Sequence, residues 1–182
     1  EKEFDRHRSV ETQVTLLADP SRELTGSIAL AKTISTPREG TTAELVDLGE
    51  GKAADFQAHA AELPGKFAFF HPDAGHRRDR VRPAMALGAA GVVIMAGPDH
   101  SPIIGNGHEA PRPEPIVVIP HDQDLLDRFQ HGERPRLTIH LRTENWIGHP
   151  NNVVGEIPGT GPLAREVILV GAHLDSWHLG EG

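Results

Sequence analysis

The chain has no cysteine, few aromatics and a shortage of positive charge. Without thiols there is no disulfide framework and no thiolate nucleophile, although this alone does not fix the compartment. Aromatic residues make up 4% of 182 residues, so the 37% hydrophobic share must build its core mainly from aliphatic side chains. Eighteen basic residues face 26 acidic ones, a net charge of −8. A nucleic-acid or anionic-membrane partner requires a basic face, so the balance argues against both. The Arg6-His7-Arg8 and Arg77-Arg78-Asp79-Arg80 clusters read as solvated surface. No apolar run approaches the ~20 residues that span a bilayer.

Histidine is plentiful, with 12 in the chain. His71, His76, His100 and His108 fall near predicted loops, with no pair at zinc-finger or helical spacing. These and the scattered His7, His59, His121, His131, His140 and His149 read as surface residues.

Residues 1–24 fit neither a helix nor a strand, and Asp19-Pro20-Ser21 signals a turn. A short strand is predicted at Ser27–Ala31. Pro37 and Gly40 make a tight connector into a strand starting at Ala43. The helix formers of Ala53–Leu63 predict a helix, with Asp55 near its positive end and Pro64-Gly65 as its stop. Lys66–Phe70 reads as a strand, His71–Asp79 as a polar loop and Val81–Leu87 as a helix, where Pro83 is tolerable only in the first turn. Gly88-Ala89-Ala90-Gly91 packs a helix end against the strand Val92–Met95. These glycines stand at a helix C-terminus, the wrong pole for a phosphate. Residues 97–115 read as a long irregular loop. Ile116–Ile119 is a buried strand, and Asp122 caps a helix that Gly132 stops. Leu137, Ile139 and Leu141 alternate with polar residues along a strand with one wet face. Glu144–Pro150 reads as a second connector.

Near the end, Val153–Ile157 and Glu166–Ala172 are predicted as two strands joined by the Gly/Pro loop from Pro158 to Pro162. The second is a continuous apolar run leading into His173, with Asp175 two positions on. Active sites of open α/β sheets gather beyond the carboxyl ends of such strands. There an imidazole can bind a metal while a nearby carboxylate fixes its tautomer.

The run Gly171-Ala172-His173-Leu174-Asp175-Ser176-Trp177, with Asn152-Val153-Val154-Gly155-Glu156-Ile157-Pro158-Gly159 before it, resembles the start of the catalytic domain in two-zinc exopeptidases. The similarity is to the plasma glutamate carboxypeptidase (carboxypeptidase Q-like) and zinc aminopeptidase family. Thr36-Pro37-Arg38-Glu39-Gly40-Thr41-Thr42-Ala43-Glu44 resembles the start of the protease-associated (PA) insert of those enzymes. The order Gly65-Lys66, strand, Ala-rich helix, Gly-Ala-Ala-Gly, strand resembles the insert itself. The resemblance spans roughly residues 25–182 and is most specific in the last thirty or so.

The resemblance implies an α/β fold: a PA domain of the swivelling β/β/α type over residues 39–145, after an N-terminal segment at 1–38. The truncated start of a zinc-peptidase sheet follows at 146–182. It implies that His173 is a zinc ligand and that Asp175 orients a ligand. It further implies two zinc ions in a complete site, a peptide substrate, a secreted or periplasmic location and scope for a homo-oligomer. The family motif goes on to a metal-bridging Asp, a Glu pair with the general base, and further ligands, none of which appears before Gly182. The expectation is a peptidase fragment, mostly PA domain, that binds zinc unstably and is inactive alone. A non-catalytic peptide- or protein-binding module is the alternative. A Ser176-His173-Asp175 triad ranks below both, because Ser176 lacks the Gly-flanked turn of a nucleophile. After Ser-Trp the family usually has Asp where this chain has His178, an accessory metal ligand or a tolerated loop change.

Overall fold

A computed structural model describes residues 4–72, 77–99, 114–149 and 153–173. Its strands are β1 (Phe4–Leu16), β2 (Arg22–Glu23), β3 (Ile28–Ala29), β4 (Thr41–Asp47), β5 (Phe67–Phe70), β6 (Gly91–Met95), β7 (Ile116–Ile119) and β8 (Arg136–Gly148). Its helices are α1 (Ala53–His59), α2 (Arg77–Ala86) and α3 (Gln123–Gln130). The fold class is α/β. One mixed sheet runs β2-β1-β8-β4-β5-β6-β7-β3.

The parallel part, β4 to β7, is built from short apolar runs, and every residue of β5, β6 and β7 is buried. Such runs suit strands covered on both faces. Alternation divides them. Phe67, Phe69, Val93, Met95, Val117 and Ile119 join Leu125 of α3 and Val14, Leu16, Leu137 and Ile139 of β1 and β8. Ala68, Phe70, Val92, Ile94, Ile116 and Val118 meet Phe56 of α1 and Val81 and Ala84 of α2 on the other face. Gly91 permits the closest approach in this layer, because a Cβ there would lie 2.6 Å from the Pro115 carbonyl oxygen and 3.0 Å from the Phe67 ring.

Several sequence expectations change. The opening residues form a 13-residue strand, β1, paired antiparallel with β8 from Phe4↔Gly148 to Leu16↔Leu137. Its period was hidden by a bulge between Ser9 and Glu11. An extra residue reverses the parity of the faces. His7 and Ser9 therefore share a face with Thr12, Val14 and Leu16. Glu144–Gly148 is the upper part of β8 rather than a connector, held by β1 across it. Helix α2 begins at Arg77, so Pro83 lies inside it and not in the first turn. The missing N–H costs the helix one hydrogen bond, but buried Val81 and Ala84 hold the segment against the sheet.

The two predicted tail strands are absent. Residues 153–173 contain no strand, and Val153, Val154, Ile157 and Val167–Val170 are all exposed, the last four at 87–92%. A strand needs a partner for its backbone groups, and no described strand lies alongside these residues. Most of the predicted loop at 97–115 lies outside the described residues.

Candidate functional site

The parallel strands β4 and β5 end side by side, one on Asp47 and the other just before His71. The Asp47 carboxylate lies 2.9 Å from His71 Nε2. The ring N–H is poorly aligned with that oxygen, so the contact is a close ion pair more than a shaped hydrogen bond. The Gly49 N–H donates to Asp47 Oδ1 at 2.8 Å, and the His71 N–H donates to the Gly49 carbonyl at 2.8 Å. Beneath them the buried Arg80 donates to the His71 carbonyl at 3.2 Å and lies over the Phe70 ring. Gly51, at φ +74°, completes the turn, where a Cβ would come within 2.9 Å of both Phe70 and Arg80.

Burial pushes the Asp47 carboxyl up, but His71 and the Gly49 N–H outweigh it and hold the group below its ordinary value. Asp47 raises the His71 imidazole, against the opposing pull of burial. The pair favours carboxylate and imidazolium together. It ties two strand ends where open α/β sheets present ligands, yet its two charges are largely spent on each other.

A second charged group ties β2 to α3. Arg22 donates to both oxygens of Asp122 at 2.6 and 2.7 Å, and to Asp124 at 3.1 Å. Asp122 also caps α3 by accepting from the Leu125 N–H at 2.8 Å. Burial raises the Asp122 carboxyl, but Arg22 and the Leu125 N–H leave it below its ordinary value.

His173 is exposed, at the far end of the extended tail. Asp175, Ser176 and His178 lie outside the described residues, as do His76, His100 and His108. Among the described residues no group of three His, Cys, Asp or Glu side chains converges as a metal site would require.

Sequence reasoning placed His71 and His7 among surface residues. The structure corrects both: His71 is paired with Asp47, and His7 is partly buried with Nδ1 2.9 Å from Asn145 Oδ1. An Asp ending one predicted strand and a His following the next was the available signal for the first pair. For the second there was none, because β1 itself was not legible.

The chain superposes on a Peptidase M28 precursor from Shewanella amazonensis with a TM-score of 0.64 at 22% identity, covering 80% of this chain and 37% of the other. An aminopeptidase from Aneurinibacillus sp. strain AM-1 gives 0.61 at 24% identity, covering 80% and 34%. A zinc aminopeptidase from Bacillus subtilis gives 0.55 at 22% identity, covering 84% and 38%. The fold is thus shared with metallopeptidase structures.

In sequence the chain is homologous to carboxypeptidase Q. It is 24% identical to the Xenopus laevis protein over 184 residues and 26% identical to the Homo sapiens protein over 182. Each match takes in 92% of this chain but 38% of the relative, so the chain spans about two fifths of these relatives' length. No protein-family model matches. No helix among the described residues is long and apolar enough to cross a membrane.

Proposed function

We propose that this chain is part of a zinc-dependent exopeptidase and is mostly its PA domain. Residues 39–145 form that domain, between an N-terminal segment at 1–38 and the opening of a catalytic domain at 146–182. In the complete enzyme His173 is a zinc ligand and Asp175 orients a ligand, within a site finished by other residues. The PA domain covers the active-site cleft and restricts substrate size, or forms a subunit contact. The enzyme acts on peptides in a secreted or periplasmic setting.

One observation carries this reading: the match to carboxypeptidase Q extends over 92% of the chain.

The test compares the 182-residue chain with the longest natural form of the protein, using aminoacyl and dipeptide reporters with and without a chelator. The long form is expected to hydrolyse a reporter only without chelator. His173→Ala in that form lowers activity by at least about a hundredfold, as loss of a metal ligand should at minimum match loss of an outer partner. The chain alone gives no turnover. Chelator-resistant hydrolysis by the long form, or turnover by the short chain, refutes the proposal.

A further inference from the structure

Strands β1 and β8 run on past the rest of the sheet. Strand β4 pairs with β8 from Arg136 to Ile139, and β2 meets β1 at Thr15 and Leu16. The segment from Thr33 to Thr36 bonds to the other edge of β8 as far as Asn145, whose Nδ2 donates to the Thr33 carbonyl at 3.3 Å. Past that point Trp146, Ile147 and Gly148 pair with Arg6, Asp5 and Phe4 in a ribbon of two strands. A bare two-stranded ribbon is marginal in water. The side-chain tie nearest its tip, Arg8 to Glu144 at 2.8 Å, is solvent-exposed and adds little.

The tip nevertheless carries two large apolar side chains. Trp146 is 48% exposed and Ile147 is 60% exposed. Successive strand residues point to opposite faces, so the pair leaves apolar surface on both sides of the ribbon. Among the described residues, every exposed large hydrophobic except Leu17 lies at Trp146 or beyond, with Val153, Val154 and Ile157 at 83–96%. Single exposed apolar residues are ordinary, but a set confined to one continuous stretch of chain marks a surface that a partner covers.

Connectivity identifies that partner. The polypeptide leaves the folded body at Gly148, which stands opposite Phe4 at the ribbon tip. The chain from Gly148 to Val153 can reach at most ~18 Å. A domain of about 100 residues is wider than that, with a radius of gyration of about 13 Å. A body that buries Val153 and Val154 therefore stands beside the tip. Held there by a short tether, it faces the ribbon at a high local concentration, so even a weak contact forms. The relatives supply such a body, because this chain spans 38% of the carboxypeptidase Q length.

We propose that the catalytic domain opened by the tail docks on this ribbon tip and buries Trp146 and Ile147, one on each face. Domains joined without a sizeable apolar contact move relative to each other by default. Here the end of β8 supplies the contact, so the junction between the two domains is a packed joint and not a free tether. The proposal rests on the reading of this chain as part of a longer enzyme, but it uses no metal and no catalytic residue.

The test is hydroxyl-radical footprinting read by mass spectrometry, on the longest natural form of the protein beside the 182-residue chain. Trp146 is expected to oxidise about fivefold more slowly in the long form, as half exposure gives way to an interface core. Equal oxidation in the two forms overturns the proposal. So does protection that grows with protein concentration, which assigns the surface to a second copy. Trp146→Thr combined with Ile147→Thr keeps β-branched side chains in the strand and removes the large apolar ones. Amide hydrogen exchange at the ribbon tip should then speed up about tenfold in the long form and stay unchanged in the short chain. No effect in the long form, or the same effect in both, sinks the idea. Hydrolysis of the reporters is scored separately. Chelator-sensitive activity without Trp146 protection removes the docking surface alone, and protection without activity removes the peptidase reading alone.

Discussion

Asp47 Oδ1 and His71 Nε2 lie 2.9 Å apart at the ends of two neighbouring parallel strands, and each pushes the other toward its charged form. This couples strand pairing to pH with opposite signs on the two limbs. The His71 value is raised above 6.5, so its contribution is complete below 6.5 and is lost as pH rises through the folded value. The Asp47 value is lowered below 3.8, so its contribution is complete above 3.8 and is lost as pH falls through the folded value. The pair is at full strength between 3.8 and 6.5. Urea midpoints of the parent chain should fall from about pH 5.5 to about pH 8.5. In His71→Gln that part of the slope should vanish; an identical slope in the variant excludes the pair as its source.

Phe69 is fully buried and stacks on Phe129 of α3 with ring centroids 5.2 Å apart. Truncation to Ala removes the ring that fills the space between the sheet and that helix. A loss of about 3–5 kcal/mol is expected from equilibrium unfolding. Phe129→Leu, at a partly buried position, should cost less.

Gly91 tests packing from the opposite direction. Its added Cβ meets a backbone carbonyl at 2.6 Å, and a carbonyl in a sheet cannot rotate aside as a flexible side chain can. Gly91→Ala should destabilise by about 1–3 kcal/mol, with an unchanged denaturant slope. Stability equal to the parent would show that β6 and β7 can separate freely here.

Asp122 serves both as the cap of α3 and as the partner of Arg22, and two substitutions separate these roles. Asp122→Asn retains a capping oxygen and loses the charge. Asp122→Ala loses both, and should fall below Asp122→Asn by about 1 kcal/mol in thermal or urea unfolding. Equal stabilities would mean that the capping oxygen contributes nothing to the helix start.

The legible parts of the fold are those where one local rule acts without interference. The runs Phe67–Phe70, Val92–Met95 and Ile116–Ile119 have no competing period and became the parallel core. Asp122 preceded an apolar-faced helix and does cap it. The β1–β8 ribbon was not legible, because the bulge near Val10 splits the alternation and because its pairing joins residues more than 120 apart. The tail failed in the opposite way. Val167–Val170 has the composition of a buried strand, but composition cannot supply the neighbour that would bury it. Of the candidate site, His173 was picked out by its place after that run, while Asp175 lies outside the described residues. The Asp47–His71 contact needed two strand ends to be read together.

The same ribbon has an architectural consequence. Because Phe4 stands opposite Gly148, the polypeptide enters and leaves the folded body at one spot, a strand spacing apart. A unit of this kind can be grafted into a surface loop of a host without prising the host's flanking residues apart. It can equally be excised and the host rejoined by a short link, which makes the body from β1 to β8 a portable cassette.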